Sequence, residues 1–188
     1  MTPDKRDRLA RLSDLEATMA LVKRRRKRLP GTRLRIGARS TMKTQSEVVE
    51  GVRGWAKGIC PLEAGVELLI RQGRGIYAGA PWLYDYGDRV VVDVDELLDG
   101  IGAWSGGEQR VARIAASLIG GERVDLNEDV SGLDRNNISL VLAAIAHANG
   151  SHEHSEIRYD NDGTPQGFDR LPSLYPWPQS ATDLAAGN

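Results

Sequence analysis

The segment from Trp104 to Gly150 constrains the fold more than any other, because it dictates helices with marked ends. Ser105 and Glu108 stand as S-x-x-E, the spacing at which each side chain satisfies a backbone donor that a helix start leaves orphaned. Beyond them Val111, Ile114, Ala115 and Leu118 recur at i, i+3, i+4 and i+7, which is one face of a helix. Gly120-Gly121 ends it, since glycine enters the left-handed conformation at little cost. Asp125 and Glu128 are candidate caps for a short second helix, and Asp134 for a third. The third carries Ile138, Val141, Leu142 and Ile145 on one face. Leu140, Ala143, Ala144 and Ala146 make it apolar almost all round, the mark of a buried helix, and Gly150 stops it. The pattern therefore predicts that 105–119 packs against 134–148 through Val111, Ile114, Leu118, Val141, Leu142 and Ile145.

The rest of the chain adds shorter elements. Residues 4–28 read as a helix in which Leu12, Leu15, Met19 and Val22 follow the a/d spacing of a coiled-coil seam. Two heptads are too few for an isolated coil, so this seam needs a partner. Leu29-Pro30-Gly31 is a stop, and Leu34 and Ile36 alternate with Arg33 and Arg35 as a short strand or an extended arm. Ser46 is a candidate cap for a helix to about Lys57, with Val48, Val49, Val52 and Trp55 apolar. Pro61 suits the first turn of the next helix, whose inner face is Leu62, Val66, Leu69 and Ile70 and whose end is Gly73. Residues 73–88 read as a long loop. Its aromatics Tyr77, Trp82, Tyr84 and Tyr86 either stack on bases or, the better reading, cover the core.

Arg89 to Val94 is the best strand candidate, and Asp95 a candidate cap for a short helix to Ile101. From Tyr159 onward Pro165, Pro172, Pro176 and Pro178 interrupt a polar tail, expected to be disordered or draped on the surface. Within it Leu171, Leu174, Tyr175 and Trp177 form a candidate docking peptide. The fold class expected is mainly α: a small helical domain with a minor strand or hairpin element, a basic N-terminal helix and a disordered C-terminal tail. The divisions are a basic helix and arm at 1–45, a helical core at 46–158 and a Pro-rich tail at 159–188.

Composition narrows the function classes. At 188 residues and 40% hydrophobic content the chain can bury one real core. Its single cysteine, Cys60, excludes an internal disulfide and a cysteine-rich zinc site. It holds no apolar run of membrane-spanning length and no apolar leader, which points to the cytoplasm. The net charge of -1 conceals a segregation. Residues 1–42 hold thirteen Lys/Arg and four Asp/Glu, a balance of +9, while the remainder stands at -10.

The basic charge peaks at Lys23, Arg24, Arg25, Arg26, Lys27 and Arg28, and Arg33, Arg35 and Arg39 extend it. A solvated helix end needs only one or two such cations to complement its dipole. Six in a row repel one another, and an anionic partner relieves that repulsion; DNA or RNA is the commonest such partner. An acidic protein surface is the competing one. His147, His152 and His154, with Glu153 and Glu156 nearby, contain the chelating H-x-H spacing. They fall at a helix end and in a polar loop where the sequence fixes no geometry, so it assigns no metal. It marks no nucleophile–base pair and no dinucleotide fingerprint beyond Gly73-x-Gly75, and so assigns no catalytic residue and no cofactor.

Ser105-Gly106-Gly107-Glu108-Gln109 resembles the signature loop of ABC-type ATPases. Asn127-Glu128-Asp129 followed by Ser131-Gly132-Leu133-Asp134 looks like their Walker B and D-loop region. The likeness spans residues 104–134. It implies a signature loop that meets nucleotide phosphate held by another subunit, and a water-polarising role for Glu128. A G-x-x-x-x-G-K-[ST] loop is absent, and Asn127 stands where the family places its magnesium-binding aspartate. What the resemblance implies is a degenerate fragment without ATP turnover of its own. The wider segment also looks like small helical proteins of actinobacteria and their phages, which brings no activity with it. The leading expectation is a non-enzymatic binding protein that contacts nucleic acid or an acidic protein surface through its basic arm. The alternatives are a scaffold or inhibitor acting through the leucine seam and tail, by a protein partner or self-association, and the ATPase fragment.

Overall fold

Thr44 and Glu47 set the first helix of this computed structural model, which describes residues 43–179. The basic positions Lys23 to Arg28, Arg33, Arg35 and Arg39, and the seam Leu12, Leu15, Met19 and Val22, lie outside the described residues. The Thr44 hydroxyl accepts from the Glu47 N–H, and the Glu47 carboxylate accepts from the Thr44 N–H, so α1 (Gln45–Ala56) opens on a capping box. The cap is Thr44 rather than Ser46, because Thr44 has an acid three residues on and Ser46 has Val49. The second helix, α2 (Cys60–Gln72), carries Pro61 in its first turn and ends where Gly73, at φ 88°, bonds back to the Leu69 carbonyl.

A two-stranded antiparallel ribbon follows, β1 (Leu83–Asp85) against β2 (Val90–Val92), with Tyr84 opposite Val91. Asp93 caps α3 (Val94–Gly100) by accepting from the Glu96 N–H, two residues before the expected Asp95. The predicted capping box at Ser105 and Glu108 opens α4 (Gly106–Gly120), and Gly121 closes it at φ 73°. Asp125 caps α5 (Leu126–Ser131) and Asp134 caps α6 (Arg135–Ala148). Locally encoded ends are thus met to within about two residues, the usual latitude of helix boundaries.

The centre of the packing is α2, which lies against both α4 and α6. Leu62, Val66, Leu68 and Leu69 of α2 are fully buried with Val111 and Ala115 of α4, Val141 and Ala144 of α6, and Val91 and Val92 of β2. Gly65 allows the closest approach: a Cβ there would stand 2.6 Å from Ile119 Cγ1 and 2.9 Å from the Ala115 carbonyl oxygen. The aromatic loop covers this core. Trp82 is buried, donates its indole N–H to the Gly75 carbonyl at 2.7 Å and meets Tyr77 and Trp104 edge-on.

The expected inner face of α6 is overturned. Leu142 and Ile145 are 41% and 49% exposed, and so are not core. Because α6 packs chiefly on α2, its inward side is Val141 and Ala144, with Leu140 and Ala148 beside them. Small residues let the two helices approach, and the larger Leu142 and Ile145 fall on the outward side. Leu118 is only half-buried at the edge of the same core.

Past α6 a second ribbon pairs β3 (Ser155–Tyr159) with β4 (Pro165–Arg170), straddling the division expected at 158/159. Its turn is held by Asp160, whose carboxylate accepts from the Asp162 and Thr164 N–H groups, and by Gly163 at φ 79°. Residues 171–179 drape over the helices. Trp177 packs on the core beneath the Arg71 guanidinium, 5.2 Å above its ring, and Arg71 donates to the Pro178 carbonyl. Among the described residues the chain is mainly α with two small ribbons, and no helix is long and apolar enough to cross a membrane.

Candidate metal centre

The packing of α2 on α6 brings the start of one helix to the end of the other. His147 occupies the last turn of α6. Gly150 then turns the chain at φ 75°, a conformation that strains any residue with a Cβ, and one turn of 3-10 helix (Ser151–Glu153) follows. This reversal stacks the His152 ring on that of His147, with centroids 4.2 Å apart and planes at 20°. The turn is held from two sides. Ser151 is buried, its Oγ lies 3.2 Å from Ser173 Oγ, and it accepts from the Leu174 N–H. Arg170 Nε donates to the His152 carbonyl at 3.0 Å.

The α2 side contributes Cys60, its first residue, and Glu63 one turn later on the same face. The Glu63 carboxylate accepts from the Gly58 N–H at 2.7 Å through Oε1, and Oε2 lies 3.1 Å from His147 Nε2. Cys60 Sγ, a Glu63 carboxylate oxygen and a His152 ring nitrogen all lie within 4.8 Å of one another, and all three residues are half-buried. The first turn of a helix favours negative charge, which suits a thiolate and a carboxylate at these positions. His152 Nδ1 is buried and lacks a hydrogen-bond partner.

The sequence singled out the histidines but not their partners. The fold joins His147 and His152 to Cys60 and Glu63; His154, Glu153 and Glu156 are exposed, and a Cβ at Gly150 would meet both Cys60 Sγ at 3.8 Å and Glu153 Oε2 at 3.9 Å. Spacing along the chain does not connect Cys60 and Glu63 to the histidines, because Glu63 and His147 stand 84 residues apart. The one local trace is Cys60-Pro61-Leu62-Glu63, a thiol and a carboxylate one helical turn apart at a predicted helix start.

The ATPase-like segment has a structural account of its own. Ser105 and Glu108 are occupied with capping α4, and Glu108 also accepts from Arg74 Nε at 3.0 Å. Asn127, Glu128 and Asp129 lie on α5, a short helix. Asp129 is buried and paired with Arg113 Nε at 2.6 Å, while Glu128 is exposed and gives its carbonyl to Arg110. No protein-family model, curated protein or solved structure matches the chain.

Proposed function

We propose that the protein is a non-enzymatic binding protein whose segment Lys23 to Arg28, extended by Arg33, Arg35 and Arg39, contacts the phosphates of nucleic acid. The observation that carries this reading is charge segregation. The described body, 43–179, holds twelve Lys/Arg against twenty-one Asp/Glu, a balance of -9 opposite the +9 of residues 1–42. Many of the body's cations are already engaged, among them Lys43 with Asp85, Arg53 and Arg71 with Glu67, Arg74 with Glu108 and Arg113 with Asp129. A polyanion is repelled by such a body and attracted to the arm alone. Folding back of the arm by charge alone is weak, because exposed ion pairs contribute only about 0–1 kcal/mol each.

The test replaces Arg24, Arg25, Arg26, Lys27 and Arg28 by Ala together and titrates labelled DNA and RNA at low and physiological salt. Wild-type affinity should fall with salt by about 0.9 in log–log slope per duplex phosphate neutralised. Sequence preference should be slight, since phosphate contacts position without specifying. Absence of binding by wild type, or an unchanged slope in the variant, refutes the reading.

A second reading, self-association, is favoured by the outward stripe of Leu142 and Ile145 on α6. The occupant that suits it is the seam Leu12, Leu15, Met19 and Val22 of another copy, whose basic neighbours complement an acidic body. Sedimentation should then show a dimer that Leu142→Glu with Ile145→Glu converts to a monomer. A monomeric wild type at high protein concentration removes this reading.

A further inference from the structure

We propose that Cys60, Glu63 and His152 bind a zinc ion, with His147 as the positioning residue for Glu63. Of the chain's one cysteine and three histidines, the cysteine and two histidines converge on this one place. A thiolate, an imidazole and a carboxylate together suit Zn2+; the hard, all-oxygen preferences of Mg2+ and Ca2+ do not. Donors around a tetrahedral zinc stand about 3.3–3.7 Å apart, given bonds of about 2.0–2.3 Å. The three here are within 4.8 Å of one another, so small side-chain rotations close the set.

Hydrogen bonding alone accounts for Glu63 and His147, which pair at 3.1 Å. It leaves His152 with a buried ring nitrogen that has no partner. Buried polar atoms are nearly always paired, and His152 Nδ1 is one of two buried side-chain atoms among the described residues that are not, Trp55 Nε1 being the other. His147 fixes one carboxylate oxygen of Glu63 and stacks on the His152 ring, and the Gly58 N–H fixes the other oxygen. Such outer contacts orient ligands and tune affinity. Three protein donors leave a fourth position open on a four-coordinate ion. The ion would tie the start of α2 to the turn that follows α6, and through Ser151 and Arg170 to the second ribbon and the tail.

The experiment uses the full-length, untagged, reduced protein stripped of metal. Zn2+ is titrated by calorimetry, and Co2+ serves as the spectroscopic probe. The expected result is one ion per chain, a thiolate-to-cobalt charge-transfer band that Zn2+ erases, and a melting temperature raised by Zn2+. Cys60→Ser should abolish the band, and Cys60→Ser, Glu63→Gln and His152→Gln should each weaken Zn2+ binding at least tenfold. His147→Gln should weaken it by about ten- to a hundredfold with the band retained. His154→Gln should change nothing. Circular dichroism checks that each variant folds. Should Cys60→Ser or His152→Gln fail to fold, alkylation of Cys60 in the wild type decides instead: Zn2+ must slow it and a chelator must restore it. The proposal is overturned by the absence of stoichiometric Zn2+ binding, by binding that survives Cys60→Ser and His152→Gln, or by unaltered alkylation.

Discussion

Gly65→Ala tests the closeness of α2 and α4. The added methyl would sit 2.6 Å from Ile119 Cγ1, 2.9 Å from the Ala115 carbonyl oxygen and 3.1 Å from Leu118 Cβ. Comfortable separation between carbon atoms is about 3.5–4.0 Å. Ile119 can turn aside, but the Ala115 carbonyl belongs to the α4 backbone, so the helix itself must move. Overpacking of this kind costs about 1–3 kcal/mol. The opposing term is the helix preference for Ala over Gly, about 0.5–1 kcal/mol. The net is a destabilisation of up to about 2.5 kcal/mol, and a chain of this size loses about 2–4 °C in Tm per kcal/mol.

Gly54→Ala is the matched control: Gly54 also lies within a helix, α1, but is exposed, with nothing within 4 Å of the built Cβ. Only the propensity term acts there, so Gly54→Ala should stabilise by about 0.5–1 kcal/mol. Thermal and urea melts of both variants measure the contrast. If Gly65→Ala raises Tm alongside Gly54→Ala, the two helices are further apart than described and the packing argument fails.

Two further outcomes follow from burial and capping. Leu68→Ala removes a fully buried side chain and should cost about 2–5 kcal/mol, whereas Leu142→Ala, 41% exposed, should stay within about 0.5 kcal/mol of wild type. Equal losses in urea melts would put α6 back in the orientation that its periodicity suggested. Backbone N–H bonds, foremost from Thr44, Ser105 and Asn137, hold the Glu47, Glu108 and Asp134 carboxyls below their ordinary values. As pH falls the unfolded chain therefore binds protons first. The stability contributed by these caps is whole above the ordinary carboxylate range, about pH 4, and drains as pH falls through the depressed folded values. Replacing the three by Gln, Gln and Asn should flatten the acid slope of the urea midpoint; a slope equal to wild type refutes the assignment.

The sequence by itself determined what is local. Ser105 with Glu108, Asp134, Pro61, Gly73 and Gly121 specify helix ends within a few residues of themselves, and the structure keeps them all. The hairpin is also encoded locally, in Asp160-Asn161-Asp162-Gly163, but its strands are short and exposed, and Pro165, Pro172, Pro176 and Pro178 give the segment the composition of a tail. Tertiary structure alone decided which side of α6 is inner. A helix apolar almost all round has no preferred face until a neighbour supplies one, and here α2 selects Val141 and Ala144 over Leu142 and Ile145. It also decided the candidate metal centre. Spacing along the chain fixes distance only within one element, whereas Cys60 and Glu63 meet His147 and His152 because two helices far apart in sequence pack together and Gly150 reverses the chain where they end.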